Sequence, residues 1–102
     1  MMEESKEIID FYKRCIKVWG EDAQIKMCIE EMSELMKELC KNYRTGKAGT
    51  EEQRLKICEE IADVINMVSQ MRLMFGTKDV DEFRKMKIER TQKRLDKEES
   101  EE

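Results

Sequence analysis

Four carboxylates in this chain have the types and spacing that metal chemistry needs. Glu31 and Glu34 lie in the segment Glu30-Glu31-Met32-Ser33-Glu34-Leu35, and Glu60 and Asp63 lie in Glu59-Glu60-Ile61-Ala62-Asp63-Val64. Residues three apart on a helix share one face, one turn above the other. If both segments are helical, each therefore presents an acidic pair. Glu31, Glu34 and Glu38 flank the apolar stripe of their helix rather than opposing it, so the pairs are expected to be half-buried. Half-buried like charges repel, and loss of water raises their pKa values. A hard divalent cation relieves both costs, and magnesium takes oxygen ligands from a few carboxylates plus substrate phosphates. Carboxylates on facing helices are one way to build such a site in a bundle core. Acidic pairs at this spacing also arise on solvated faces, as at Glu4 and Glu7, and spacing alone leaves both readings open.

The elements that must position these acids can be read from periodicity and caps. A first helix is predicted from about Ser5 to Trp19, with Ile8, Tyr12, Cys15, Ile16 and Trp19 on one face and Gly20 as its stop. A second runs from about Asp22 to Tyr43, with Ile25, Cys28, Ile29, Met32, Leu35, Met36 and Leu39 as its stripe. The loop around Arg44, Gly46, Lys47 and Gly49 reads as a flexible connector and lacks a P-loop pattern. Thr50 with Gln53 forms a capping box ahead of a third helix ending near Phe75, and its broad apolar surface marks it as the central one. Asp79 with Glu82 repeats the box before a fourth helix carrying Val80 and Phe83. The fold class is all-α: a four-helix bundle with a central antiparallel helical hairpin, completed by oligomerisation. Residues 1–95 form the domain, and 96–102 (DKEESEE) read as an acidic disordered tail.

Composition agrees with this reading. The chain has 102 residues, 43% of them charged and 39% hydrophobic, with no proline and four glycines, a mixture typical of helical bundles. A net charge of −4 gives no electrostatic reason to hold nucleic acid. Histidine is absent, and Cys15, Cys28, Cys40 and Cys58 form no C-x-x-C pair. All four cysteines are expected to be reduced core thiols of a cytoplasmic protein. No apolar run approaches the length of a membrane span, so no membrane association is expected.

The order E-x-x-E, then E-x-x-D on the next helix, resembles the MazG-like all-α NTP pyrophosphatase superfamily. Gln24 upstream of CIEEMSEL, then EEIADVIN, then the basic KMKIERTQKRL carry the likeness, which covers about Trp19 to Leu95. The resemblance implies a homodimer or homotetramer that hydrolyses (deoxy)nucleoside triphosphates to monophosphate and pyrophosphate, a nucleotide-pool house-cleaning activity. Magnesium, with manganese as a substitute, would be held by Glu31, Glu34, Glu60 and Asp63, and Glu34 would serve as the catalytic base. Substrate contacts are expected from Lys87 and Arg90, and more weakly Arg94, as a phosphate clamp. Asn66 and Gln24 are candidates for sugar or base, each with an exposed or capping role as the alternative. Trp19 either stacks on a base or closes the core. Phosphoribosyl-ATP pyrophosphatase is the rival within enzymes, and a non-catalytic helical interaction or regulatory protein the rival outside them.

Overall fold

A computed structural model describes residues 4–45 and 50–101. Four helices follow in order: α1 (Lys6–Trp19), α2 (Glu21–Thr45), α3 (Glu51–Phe75) and α4 (Thr77–Ser100). Among the described residues there is no strand, and the architecture is an all-α four-helix bundle. No helix of the described residues is long and apolar enough to cross a membrane.

The helix ends follow local chemistry. Ser5 Oγ accepts the Ile8 N–H at 3.2 Å, and Thr50 Oγ1 accepts the Gln53 N–H at 3.1 Å, so two of the exposed first-turn donors are satisfied. Gly20 (φ 92°) and Gly76 (φ 141°) each donate to a carbonyl of the helix before and accept from an amide of the helix after. Positive φ at these two junctions is available to glycine at little steric cost. The fourth helix starts at Thr77, earlier than Asp79 predicts. Gly76 already joins the two helices, so Asp79 lies in the first turn without capping it, its charge favourable at the helix N-terminus. The glycine-rich connector falls at 46–49, outside the described residues.

The stretch from Asp96, expected to be disordered, continues α4 as far as Ser100. Arg94 Nε lies 3.0 Å from Glu98 Oε1 one turn on, and Lys97 sits in the last turn, where a cation suits the dipole. Charge pairing along a solvated helix thus replaces the apolar contacts this stretch lacks.

The α2–α3 pair is the closest in the bundle, and α3 touches all three other helices. Gln24 Nε2 donates to Gln70 Oε1 at 2.7 Å, and Gln53 Nε2 donates to Glu38 Oε2 at 3.2 Å. Ascending positions on α2 meet descending positions on α3, so the hairpin is antiparallel. Its seam is partly polar: Gln24, Glu38, Glu60 and Gln70 are buried beside Cys28 and Met67. This corrects the expected stripe. Cys28 is buried and Ile25 and Leu35 are half-buried, but Ile29, Met32, Met36 and Leu39 are exposed. Two other sequence expectations change with it. Cys15 and Cys28 are buried, whereas Cys40 and Cys58 are exposed, and all four thiols are free. Trp19, at the last turn of α1, is 64% exposed and does not close the core.

The glutamine pair yields a test. Gln24→Leu leaves the buried Gln70 amide without its donor and should cost about 1–3 kcal/mol, read as a lower urea midpoint at fixed protein concentration. Gln24→Leu with Gln70→Leu removes both polar partners and should recover most of that loss. A double variant as unstable as the sum of its singles would show that the bond contributes nothing.

Candidate metal centre

The antiparallel seam brings the first acidic motif on α2 beside the second on α3. One carboxylate oxygen from each of Glu31, Glu60 and Asp63 lies within 4.8 Å of the others. Oxygens on opposite sides of a magnesium ion stand about 4.2 Å apart, from ligand distances of about 2.1 Å. The trio thus stands close to, and slightly wider than, that span. All three donors are hard carboxylate oxygens, the set magnesium prefers.

The electrostatics are those of like charges gathered in one place. Glu60 is buried, at 6% exposure, while Glu31 and Asp63 are half-buried. Loss of water raises the Glu31 pKa most, followed by the charges of Asp63 and Glu60, the hydrogen bond to Asp63, and the charge of Glu34. Lys56 provides the local counter-charge. Its Nζ is 3.2 Å from Glu60 Oε1 and 3.8 Å from Glu59 Oε1, and the contact with Glu60 raises the lysine pKa. Sequence reading did not single out Lys56. Its spacing of four from Glu60 was the available signal, the reverse order of the better-known Glu-to-Lys pair.

Glu34 stands apart from the trio. It is exposed, one turn beyond Glu31, and acts on that residue through its charge. Asn66, one turn after Asp63, accepts the Tyr12 hydroxyl at its Oδ1 (2.8 Å), which anchors α1 beside the acidic face. Gln24 is buried in the seam with its amide donated to Gln70. Trp19 is exposed at the α1–α2 junction.

The basic residues of α4 are not assembled onto the acids within one chain. Lys87, Arg90 and Arg94 are exposed, and Arg94 pairs with Glu98. Among the described residues, α4 touches α3 and no other helix. Near the turn that joins them, the Arg72 guanidinium pairs with Asp81. Phe83, expected on the packed face of α4, is exposed, and only Val80 is half-buried.

Comparison with known proteins found no match to a family model, to a curated protein or to a solved structure.

The raised Glu31 pKa fixes the sign of a pH effect on the metal-free protein. An acid whose folded pKa exceeds its unfolded value favours folding when protonated, and that contribution fades as pH rises through the folded value. Thermal melts from about pH 4 to about pH 7, spanning and exceeding the ordinary glutamate range, should show this loss. Glu31→Gln should remove that component and raise the melting temperature at the neutral end. A variant melting below wild type at every pH would contradict the repulsion at this site.

Proposed function

We propose that this chain is a magnesium-dependent nucleoside triphosphate pyrophosphohydrolase of the MazG-like kind, working in the cytoplasm as a homodimer or homotetramer. It would convert (deoxy)nucleoside triphosphates to monophosphate and pyrophosphate. The observation that carries the reading is the convergence of Glu31 with Glu60 and Asp63 across two helices. The order and neighbours of the acidic motifs support it independently.

In this reading Glu31, Glu60 and Asp63 hold the cation. Magnesium held there would supply charge neutralisation for the triphosphate and make the attacking water more acidic. Glu34, exposed and one turn from Glu31, keeps a carboxylate outside the trio with which to take the water's proton. Lys56 balances the trio when no cation is present, and on release from Glu60 it offers an ammonium to a phosphate oxygen. Asn66 and Trp19 lie on the elements that border the acidic face and serve the sugar and base. Lys87 and Arg90 meet the charge developing on pyrophosphate, a role that belongs to the assembled oligomer because α4 does not reach the trio in a single chain.

A panel of ribo- and deoxynucleoside triphosphates, with phosphoribosyl-ATP as a separate arm, should release pyrophosphate in the presence of magnesium. Orthophosphate as the sole product would overturn attack at the α-phosphorus. Glu60→Gln and Asp63→Asn should abolish magnesium-dependent turnover. Glu34→Gln should lower kcat by about 10²-fold or more, as loss of a general base does, while leaving magnesium affinity largely intact. Saturating magnesium should also raise the melting temperature, since about a hundredfold excess over Kd stabilises by about 2.7 kcal/mol. A helical interaction protein without catalysis would show neither turnover nor this rise.

A further inference from the structure

Asp63, Asn66 and Ser69 follow one another at steps of three along α3, and α1 answers the last two with polar groups. Tyr12 is buried, at 4% exposure, and its hydroxyl donates to Asn66 Oδ1 at 2.8 Å. Asn66 itself is exposed, one turn from the acidic trio. One turn further on, the buried Ser69 hydroxyl donates to the carboxylate of Glu4, just ahead of α1. Burial first, and then the charge of Glu4, push the Tyr12 phenol above its ordinary value, so it remains a proton donor at neutral pH.

We infer that Tyr12 is a positioning residue: its hydroxyl holds the Asn66 carbonyl inward and leaves the Asn66 NH2 as the group offered to a substrate oxygen beside the trio. The inference rests on the hydrolase reading above. An unanchored asparagine presents either its oxygen or its nitrogen, because a half-turn of the amide exchanges them. With Oδ1 engaged that choice is gone, and among the described residues nothing accepts from Nδ2. The oxygen is the wrong group to turn outward here. Glu31, Glu60 and Asp63 already crowd this face with negative charge, and a triphosphate adds more. A side chain offering donors alone takes an acceptor of the nucleoside, either a sugar oxygen or a base carbonyl. A base amine facing it leaves donor against donor, a mismatch that costs binding heavily.

Stability gives little reason for the pair. A hydrogen bond between two neutral groups adds a modest net amount, and apolar groups of the same shape serve a core about as well. Asparagine is also a weak helix former at an exposed interior position such as 66. What the bond supplies is direction, since Oδ1 is held by a buried phenol on another helix, 54 residues away in sequence. A group fixed before the substrate arrives loses less freedom on binding it.

Two readouts on the full chain test this, with Tyr12→Phe, Asn66→Ala and the double variant. The first is nitrogen relaxation of the Asn66 side-chain amide. Its order parameter should lie nearer the rigid value of about 0.85 than the flexible value of about 0.6, and fall below the latter in Tyr12→Phe. An amide equally ordered, or equally loose, in both chains overturns the inference. The second is steady-state kinetics with magnesium and the common ribo- and deoxynucleoside triphosphates. Tyr12→Phe and Asn66→Ala should each raise KM by about three- to tenfold, the range set by loss of one neutral hydrogen bond. The loss should fall on KM rather than kcat, as for a contact made equally in ground and transition states. In the Asn66→Ala background, Tyr12→Phe should raise KM no further. A further rise there means that Tyr12 acts through the fold alone and overturns the inference, as does a KM that Tyr12→Phe leaves unmoved. Turnover by the wild type without this coupling defeats the inference alone, whereas a wild type that hydrolyses no nucleotide defeats the hydrolase reading and the inference with it.

Discussion

The hydrogen bonds from Gln24 to Gln70 and from Gln53 to Glu38 set the register of the α2–α3 hairpin, and nearly everything else in the molecule depends on that register. Side-chain amides inside a helical seam are poor sources of net stability, since each must first lose its water. They are good sources of alignment, because a slip by one turn would leave several buried polar groups without partners. The acidic motifs of α2 and α3 lie between these two cross-links. Glu31 meets Glu60 and Asp63 because the glutamines on either side permit one alignment.

That arrangement also explains how the chain tolerates its own charge. The seam carries Glu31, Glu38, Glu60 and Asp63 at or near burial. Lys41 and Gln53 answer Glu38, and Lys56 answers Glu60. Glu31 loses water and faces the charges of Asp63 and Glu60, and its affinity for a proton rises. An acid in that position is answered either by a proton or by a cation, which makes the trio the electrostatic focus of the fold.

Much of this was legible in the residues, and the parts that were not share a cause. Gly20, Gly76, Ser5 and Thr50 mark helix limits through backbone geometry and local hydrogen bonds, which are short-range and visible in sequence. The gathering of Glu31 with Glu60 and Asp63 followed from helical spacing and an antiparallel connection. The side of α2 facing α3 was not legible, because an apolar stripe and a partly polar one run side by side along it. Hydropathy selects Ile29, Met32 and Met36 along with Cys28, whereas the seam takes Cys28 with the polar Gln24 and Glu38. Burial there is decided by pairing across helices, which a single helix does not reveal. The same reason applies to Glu34, which shares a motif with Glu31 yet stays outside the trio, and to Lys56, whose role appears only beside Glu60. Of the two readings open for Trp19, the core one fails because an aromatic residue at the end of an amphipathic stripe lacks a following turn to cover it.

Gly76 gives α4 the mechanics of a lever. A single residue, at φ 141° and ψ 103°, separates Phe75 from Thr77, so one pair of dihedral angles sets the heading of a 24-residue helix. At about 1.5 Å per residue that arm is about 36 Å long. A rotation of about 10° at the glycine then carries the far end through about 6 Å on that arm length, a distance comparable to a full helical turn. Lys87, Arg90 and Arg94 lie at successive points along the arm, so a small torsional adjustment at one residue moves three positive charges by graded amounts.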